Sequence, residues 1–270
     1  KRDWLNSDQR QAVSHVVSSR DRVILVRGAA GVGKTTMMKE AVERIEENGN
    51  RVFTFAPSAG AKTVLQKEGF DQADTVARLL VDSKLQAETK GQVLWIDEAG
   101  LLGSKAMGQV FELASKNENR VILSGDRRQH GSVERGAALR LLEDEAGLKP
   151  AEIREIQRQK GAYKRAVQSL ADGHTQDGFR QLAELGWIQE VTSGDRYKAM
   201  AADYVAAVNA GSDTLVVSPT HFEGDRITAE IRSELKRAGR LGGDERKFQT
   251  LENTNLTQAE RQDAVNFVPG

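Results

Sequence analysis

The sequence predicts an α/β fold in which helices flank a parallel β-sheet. Short apolar runs typical of buried parallel strands occur in four places, at residues 23–26, 51–56, 93–96 and 120–124. Between them lie segments with the 3.6-residue apolar spacing of amphipathic helices. A glycine-rich stretch follows the first run and leads directly into one of these helices, which is the order expected in an α/β unit.

The individual elements can be justified in chain order. Apolar residues at helical spacing predict a first helix over residues 5–17, and Asn6 or Ser7 can cap its start. A short helix is predicted over residues 74–82, with Asp74 as its cap. Further helices are predicted at residues 36–47, 136–145, 162–185 with a break near 173, 197–209 and 225–235. Further strands are predicted at residues 188–191 and 214–218.

Composition narrows the classes of protein that fit. The 270 residues carry 39 Lys+Arg and 39 Asp+Glu, so a nucleic-acid partner would need a local groove rather than bulk charge. No apolar run approaches the length of about 18 residues that indicates a membrane span, and we expect no membrane insertion. The lack of cysteine excludes disulfides and fits a cytoplasmic location. Because the chain runs from Lys1, without methionine, to Gly270, we expect it to be part of a longer protein.

The glycine-rich stretch is the most specific motif in the chain. Residues 28–35 read Gly-x-x-x-x-Gly-Lys-Thr, the phosphate-binding P-loop. Its backbone N–H groups form a concave anion site, and the N-terminus of the next helix adds partial positive charge. Lys34 is expected to reach the β- and γ-phosphates of ATP, and the Thr35 hydroxyl to bind Mg²⁺. The predicted nucleotide-contacting residues of this stretch are Gly28, Ala29, Ala30, Gly31, Val32, Gly33, Lys34, Thr35 and Thr36.

An acidic pair follows the strand predicted at residues 93–96. Asp97 is expected to hold Mg²⁺, directly or through water, and Glu98 to orient and deprotonate the attacking water. Gln129 follows the next strand, where a side chain could sense the γ-phosphate. Arg158 is a candidate phosphate-sensing arginine, although an arginine in so charged a stretch is more often simply solvated.

Two further features have a functional and a plain interpretation. The Gln9 carboxamide offers the donor and acceptor that an adenine edge requires, but an exposed glutamine on a polar helix face is the simpler interpretation. Ser58, Ala59 and Lys62 follow the second predicted strand, which places them on the same rim as the P-loop. There they could let a nucleic-acid strand approach the backbone, or form an ordinary strand-to-helix loop.

Taken in order, seven segments resemble the motifs of superfamily 1 DNA helicases of the RecD-like, 5′-to-3′ branch: LNSDQ, GAAGVGKTT, FAPSAGAK, IDEAG, GDRRQ, IQRQ and VVSPTH. The resemblance implies a P-loop NTPase with RecA-like domains that acts as an ATP-dependent single-stranded DNA translocase or helicase. It makes Gln9 the adenine reader, places Gln129 in motif III and makes Arg158 the motif IV arginine. The DNA contacts that we predict are Ser58, Ala59, Lys62, Thr75 and Thr220.

The resemblance also implies a domain organisation. Residues 1–150 would form motor domain 1A, with a small 1B insertion near residues 73–92. Residues 151–270 would form an incomplete second RecA-like domain 2A, cut at the start of a 2B-like insertion. Motifs V and VI are absent from the sequence, so we expect the chain alone to be inactive or weakly active. Ala77 replaces a histidine that many relatives carry, which weakens the case for a DNA contact there.

A closer likeness is to the helicase portion of MobF (TraI-like) conjugative relaxases, through GDRRQHGSVERG, IDEAGLL and NTNLTQAERQDAVNFVPG. This implies a role in conjugative plasmid transfer, with a nicking domain expected before Lys1. The implied partners are single-stranded DNA and type IV secretion components. Two alternatives stay open: a helicase-like module that binds DNA or serves secretion recognition without turnover, and a DNA-repair helicase of the same branch.

Overall fold

The computed structural model describes residues 4–29, 31–126, 132, 135–157 and 159–244. The chain divides into two compact units, Lys1–Ile188 and Gln189–Gly270. The domain boundary expected after residue 150 stays a prediction. A short strand, Ala151–Ile153, pairs with the first strand of the chain and so belongs to the sheet of the first unit.

The first unit is built on the predicted parallel sheet, which is confirmed. Its six strands are β1 Val23–Gly28, β2 Val52–Ala56, β3 Asp74–Thr75, β4 Val93–Ile96, β5 Arg120–Gly125 and β6 Ala151–Ile153. Their order across the sheet is β3-β2-β4-β5-β1-β6, and every neighbouring pair is parallel. Strand β5 therefore lies between β1 and β4. All six strands end at the same edge of the sheet.

Helices cover both faces of this sheet. They are α1 Ser7–Ser18, α2 Lys34–Glu47, α3 Ala59–Lys67, α4 Val76–Val81, α5 Ser83–Glu88, α6 Ser104–Lys116, α7 Ala138–Asp144, α8 Gly161–Ala171 and α9 Thr175–Glu184, with a 3₁₀ turn at Ala99–Leu101. Alternate residues of the central strands enter two separate cores. Trp95 packs with Met37 of α2 on one face, and Leu94 packs with Val110 of α6 on the other. Burial of such side chains is the main stabilising contribution to the fold.

The segment predicted as one helix over residues 74–82 differs in the structure. Asp74 and Thr75 form the edge strand β3, and the helix starts only at Val76. Thr75, rather than Asp74, caps it, because the threonine hydroxyl accepts the backbone N–H of Arg78 at 3.1 Å. The Asp74 carboxylate instead forms an ion pair with Arg78. The wider segment 73–92 holds β3, α4 and α5, and Leu79 within it is fully buried.

The second unit contains α10 Arg196–Asn209 and α11 His221–Arg237 among its described residues. The strand predicted at residues 214–218 is wrong, because these residues form no strand and leave Leu215 85% exposed. The strand predicted at residues 188–191 is also not formed. A parallel strand requires a neighbouring strand to receive its hydrogen bonds, and the described part of this unit contains none. Across the described chain, no helix combines the length and the apolar character needed to cross a bilayer.

Candidate functional site

Three of the predicted catalytic residues, Lys34, Asp97 and Glu98, meet at the carboxyl-terminal edge of the sheet. The P-loop follows β1, and the acidic pair follows β4, two strands away. A cavity of about 290 Å³ lies between them, and helix α3 forms a third wall. Its lining includes Ala29, Gly31, Gly33, Lys34, Thr35, Asp97 and Glu98 from the predicted site, and Ala56 of β2, Ala61, Val64 and Leu65 of α3 and Glu68 just after α3.

The P-loop carbonyls are held by hydrogen bonds from groups around the loop. The Gln9 Nε2 donates to the carbonyls of Val32 and Gly33, both at 3.2 Å. The backbone N–H of Gln157 donates to the carbonyl of Gly31 at 2.7 Å. A loop whose carbonyls are engaged in this way keeps its N–H groups available for an anion.

Gln9 is therefore buried and not exposed, which rules out the plain interpretation of this residue. Its exposed fraction is 4%, and its Oε1 accepts the backbone N–H of Asn6 at 3.0 Å. In return the Asn6 side chain accepts the Gln9 N–H at 2.8 Å, so the two residues form a capping box at the start of α1. One glutamine thus joins the first helix to the P-loop.

Gly33 occupies a backbone conformation that favours glycine. Its φ of 80° and ψ of 35° lie in the left-handed region, directly before Lys34 at the start of α2. A Cβ added there would overlap the Nε2 of Gln9. Close packing and positive φ both explain why the P-loop needs glycine at this position.

Lys34 and Glu98 face each other across the cavity. The Lys34 ammonium donates to the Gly28 carbonyl at 2.8 Å, and its Nζ lies 3.9 Å from the Glu98 Oε1. A lysine that bonds its own loop through one N–H keeps two donors for phosphate oxygens. The predicted lysine and acidic residue thus line the same cavity.

The Glu98 backbone and carboxyl group are both unusual. Its φ of 50° and ψ of 37° place a residue with a side chain in the left-handed region, and such strain is concentrated at functional sites. Burial raises the pKa of the Glu98 carboxyl above its ordinary value, the Lys34 charge opposes this, and Asp97 and Asp126 add to the rise. A carboxylate with a raised pKa is a stronger base than an ordinary glutamate.

Asp97 has a partner that the sequence did not indicate. The hydroxyl of Ser124, on β5, donates to the Asp97 Oδ1 at 2.7 Å. The Asp97 backbone N–H donates to the Phe55 carbonyl at 2.9 Å, which continues the pairing of β4 with β2. We missed Ser124 because it lies within an apolar run and looks like part of the strand; the register of neighbouring strands was the information required to find it.

The remaining residues predicted to contact the nucleotide differ in how exposed they are. Thr36 is exposed on α2, whereas the Val32 side chain is fully buried in the core. Gly28 is buried, and a Cβ there would lie 2.8 Å from the Val32 Cγ2. Ala30, Gln129 and Arg158 lie outside the described residues.

The predicted DNA-contacting hydroxyls all serve as helix N-caps. Ser58 accepts the N–H of Ala61 at 3.2 Å at the start of α3, as Thr75 does for α4. Within the second unit, Thr220 accepts the N–H of Glu223 at 3.2 Å at the start of α11. Ser58 and Thr75 each use an oxygen lone pair for the cap, so their protons stay available to a phosphate. The Thr220 hydroxyl instead donates to the Glu223 Oε2 at 3.5 Å. Ala59 begins α3, and the Lys62 Nζ lies 4.0 Å from the Asp74 Oδ1.

Comparison with known families gives this geometry a context. Residues 4–193 match the sequence profile of a family described as AAA domain, and the match includes the whole P-loop, the acidic pair and the six-stranded sheet. The chain belongs to the AAA domain family. Its parallel sheet, with one strand between the P-loop strand and the strand of the acidic pair, is that of a P-loop NTPase.

Relatives of this AAA domain chain carry names from conjugation. The chain is 32% identical over 253 residues to conjugal transfer protein TraA of Rhizobium radiobacter, a match that covers 90% of the chain and 22% of TraA. It is 26% identical over 308 residues to the multifunctional conjugation protein TraI of Escherichia coli strain K12, covering 95% of the chain and 17% of TraI. The resemblance to TraI-like proteins is thereby confirmed, and the chain spans about a fifth of their length.

Solved structures add little to this comparison. The replication initiator DnaA bound to AMPPCP and single-stranded DNA is 16% identical, with a TM-score of 0.34 over 83% of the chain and 74% of DnaA.

Proposed function

We propose that this protein is an ATP-dependent single-stranded DNA translocase or helicase that acts in conjugative plasmid transfer. The observation that carries the proposal is the convergence of Lys34, Asp97 and Glu98 on one cavity beside the P-loop. A phosphate cradle with a cation, a metal-ligating carboxylate and a base within a few ångströms is the set of groups that phosphoryl transfer to water requires. The relatives named for conjugation support the cellular role.

ATP would be held mainly through its phosphates. The N–H groups of the P-loop and the N-terminus of α2 favour negative charge, and Lys34 would exchange its bond to the Gly28 carbonyl for phosphate oxygens. Gln9 remains our proposal for the adenine contact. Since both ends of its amide are already bonded, Gln9 would have to exchange one of its bonds for adenine.

The residues present fit a magnesium ion. The Thr35 hydroxyl and the Asp97 carboxylate would hold it, and both are the hard oxygen ligands that Mg²⁺ prefers. Within the described part of the chain, no three His, Cys, Asp or Glu side chains are grouped so as to hold a metal. This agrees with Mg²⁺, which is usually bound by one or two carboxylates together with substrate phosphates and water. Bound Mg²⁺ would neutralise charge on the phosphates.

Hydrolysis would depend on Glu98. Its carboxylate would accept a proton from the attacking water, and the charge of Lys34 would stabilise the phosphates. We propose Gln129 as the sensor of the γ-phosphate and Arg158 as an arginine that contacts it. The N–H bond from Gln157, the residue before Arg158, to the P-loop carbonyl of Gly31 supports the second assignment.

Single-stranded DNA would follow the rim beyond the cavity. Ser58, Ala59, Lys62 and Thr75 lie at the starts of α3 and α4. Within the second unit, Thr220 at the start of α11 is a separate proposed DNA contact. A second cavity of about 460 Å³ adjoins Ser58 and has largely apolar walls. They include Pro57, Val76, Ala77, Leu80 and Leu101, and Lys105 also lines the cavity. Apolar walls beside a cation suit bases and phosphates, with little sequence preference.

The domain roles remain proposals that rest on the resemblance. We assign a 1A motor domain to the sheet-bearing first unit and a part of a 2A domain to later residues. Movement in the 5′-to-3′ direction along DNA is the direction that the RecD-like branch implies. Type IV secretion components are the partners implied by the likeness to conjugation proteins.

We predict that the rate of ATP turnover falls at low pH because Glu98 becomes protonated. Because the folded pKa of this carboxyl is raised, the active carboxylate form is lost as pH falls through a value above the ordinary 4.5. The same shift means that ionisation of Glu98 opposes folding, so protonation at low pH favours the folded state. We expect the midpoint of this fall above 4.5 in a plot of ATP turnover against pH, at constant ionic strength. A midpoint at or below that value would contradict the raised pKa of this carboxyl.

The proposed DNA function is tested with matched lysines on one helix. Lys105 is at the start of α6 on the rim, whereas Lys116 is at the opposite end of the same helix, and both are exposed. We expect the chain with Mg·ATP analogue to bind a labelled single-stranded oligonucleotide better than its blunt duplex, measured by fluorescence anisotropy. Lys105→Ala should weaken DNA binding and should reduce by about one the slope of the logarithm of the binding constant against the logarithm of the salt concentration. Lys116→Ala should change neither.

ATP turnover completes this test. Single-stranded DNA should raise the rate of ATP hydrolysis, and the duplex should not. Absence of both single-strand binding and stimulation would overturn the translocase proposal, even if ATP were hydrolysed. Equal effects of the two lysine substitutions would overturn the proposed path of DNA over the rim.

A further inference from the structure

A hydrogen-bonded chain of side chains connects the buried core to the metal-ligating carboxylate. The Trp95 Nε1 lies 2.9 Å from the Ser124 Oγ, and the Ser124 Oγ lies 2.7 Å from the Asp97 Oδ1. Trp95 and Asp97 are two residues apart in the sequence. Because successive side chains of a strand alternate between the two faces, both point to the same face of the sheet. Ser124, on the adjacent strand β5, lies between them.

The direction of each bond follows from the chemistry of the groups. An indole N–H can only donate, so the Ser124 oxygen must accept from Trp95. The serine hydroxyl then has one proton to give. An ionised carboxylate only accepts, and it is nearer than the Ile96 carbonyl, which lies 3.5 Å from the Ser124 Oγ. The proton therefore goes to Asp97.

Burial makes this chain of bonds rigid. The exposed fractions of Trp95 and Ser124 are 0% and 1%, so neither can exchange its partner for water. A hydrogen bond to an ionised group in a buried site is stronger than a neutral one. The indole is in turn fixed by the packed core shared with Ile122 and Met37. Among the described residues, no group donates to the Asp97 Oδ2, which leaves that oxygen to a metal ion or its water.

We propose that Ser124 is a positioning residue that orients the Asp97 carboxylate for Mg²⁺, and that Trp95 reports the occupancy of that site. This rests on the proposed function, because it needs the metal to bind at Asp97. Ser124 would fix Oδ1 and so present Oδ2 to the metal in one orientation. A change in the charge felt by Asp97 would be transmitted through one hydroxyl to the indole N–H, which affects tryptophan emission.

The chain allows this signal to be isolated. It contains three tryptophans, and the other two, Trp4 and Trp187, are 59% and 61% exposed. In a chain carrying Trp4→Phe and Trp187→Phe, Trp95 is the only indole. Phenylalanine at 187 keeps a ring against Tyr163, whose ring centroid lies 4.5 Å from that of Trp187.

The experiment titrates Mg²⁺ into this double variant in the presence of saturating ADP and follows Trp95 emission. We expect a saturable change in emission. In a Ser124→Ala derivative the Mg²⁺ concentration at half-saturation should rise by about 10–100-fold, the range typical of lost partners of a metal ligand. Mg²⁺ binding should also be measured by calorimetry, so that the result does not depend on the indole signal alone.

Two comparisons separate positioning from a loss of structure. Affinity for ADP in EDTA should be the same in the Ser124→Ala chain and its parent, since a general collapse of the site would lower it. Ser124→Thr, which restores a hydroxyl, should return the Mg²⁺ midpoint towards that of the parent. If threonine does not fit, Trp95→Phe in the full chain tests the same chain of bonds, because it removes the donor to Ser124 and should also weaken Mg²⁺ binding by calorimetry. Since phenylalanine leaves part of the buried indole volume empty, the ADP affinity of this variant in EDTA should be measured as well and should match the parent.

The outcomes distinguish the two proposals. An unchanged Mg²⁺ midpoint in Ser124→Ala, with normal ADP binding, would overturn the role of Ser124 and leave the nucleotide site intact. Equal losses of ADP affinity with and without Mg²⁺ would show a structural role and overturn the proposal as well. Failure of the parent chain to bind ADP under any condition would instead overturn the proposed function.

Discussion

Glu98→Gln is expected to lower ATP turnover by about 10²–10⁴-fold, the usual contribution of a positioned general base. Glutamine keeps the size of the side chain but cannot accept the proton of the attacking water. Its neutral amide also removes the charge that faces Lys34 at 3.9 Å. Nucleotide affinity should therefore be retained or rise slightly, since Lys34 then has no carboxylate competing with the phosphates.

A matched control is available for this substitution. Glu98 and Glu118 are the two non-glycine residues with positive φ in the described chain, at 50° and 57°. Glu118→Gln therefore changes a carboxylate on the same kind of backbone, at a position away from the cavity, and should leave turnover unchanged. Where the parent chain hydrolyses ATP at a measurable rate, equal rates of phosphate release at saturating ATP for Glu98→Gln and the parent would exclude Glu98 as the base.

Gly33→Ala is expected to damage both stability and nucleotide binding. An added methyl group meets two obstacles, a φ of 80° and the Nε2 of Gln9. The left-handed backbone alone costs about 1–2 kcal/mol for a residue with a Cβ. Displacing Gln9 also removes its bonds to the P-loop carbonyls, so nucleotide affinity should fall by about tenfold or more, which corresponds to about 1.4 kcal/mol.

Gly49→Ala is the control that separates the effect of positive φ from the effect of contact with Gln9. It lies just past the other end of α2 with a φ of 89°, and nothing lies within 4 Å of an added Cβ. Gly49→Ala should lower the free energy of unfolding only by the amount due to the left-handed backbone. It should leave nucleotide binding unchanged. A second substitution, Gln9→Ala, should recover part of the stability lost in Gly33→Ala. Equal unfolding free energies for the two glycine variants, from denaturant titration, would contradict the proposed packing of Gln9 against the P-loop.

The sheet could be predicted because its signals are local. Each of β1, β2, β4 and β5 is a short β-branched or aromatic run bounded by turn residues, and the P-loop fixes the order of strand, loop and helix. The convergence of Lys34 and Glu98 followed from one further rule, that the ends of parallel strands share an edge. Both inferences needed only sequence patterns of a few residues.

Other features depended on which strands become neighbours, which no local pattern contains. Ser124 meets Asp97 only because β5 lies beside β4, and Gln9 meets Gly33 across 24 positions of sequence. Conversely, residues 214–218 have the composition of a buried strand but no neighbouring strand among the described residues. The Asp74 cap was assigned to the wrong residue because Asp74 and Thr75 are both good caps, and pairing with β2 decided between them.

The most direct test of the nucleotide site is calorimetric binding of a non-hydrolysable Mg·ATP analogue to the parent chain, to Lys34→Ala and to Lys39→Ala. Both lysines lie on α2, but Lys39 is half exposed and lies 4.0 Å from Glu68. Loss of a charge-assisted bond costs about 1.5–3 kcal/mol, so Lys34→Ala should weaken binding by about 10–150-fold. Lys39→Ala should bind as the parent does. Unchanged affinity in Lys34→Ala, or no binding to the parent chain, would contradict the nucleotide site at the P-loop.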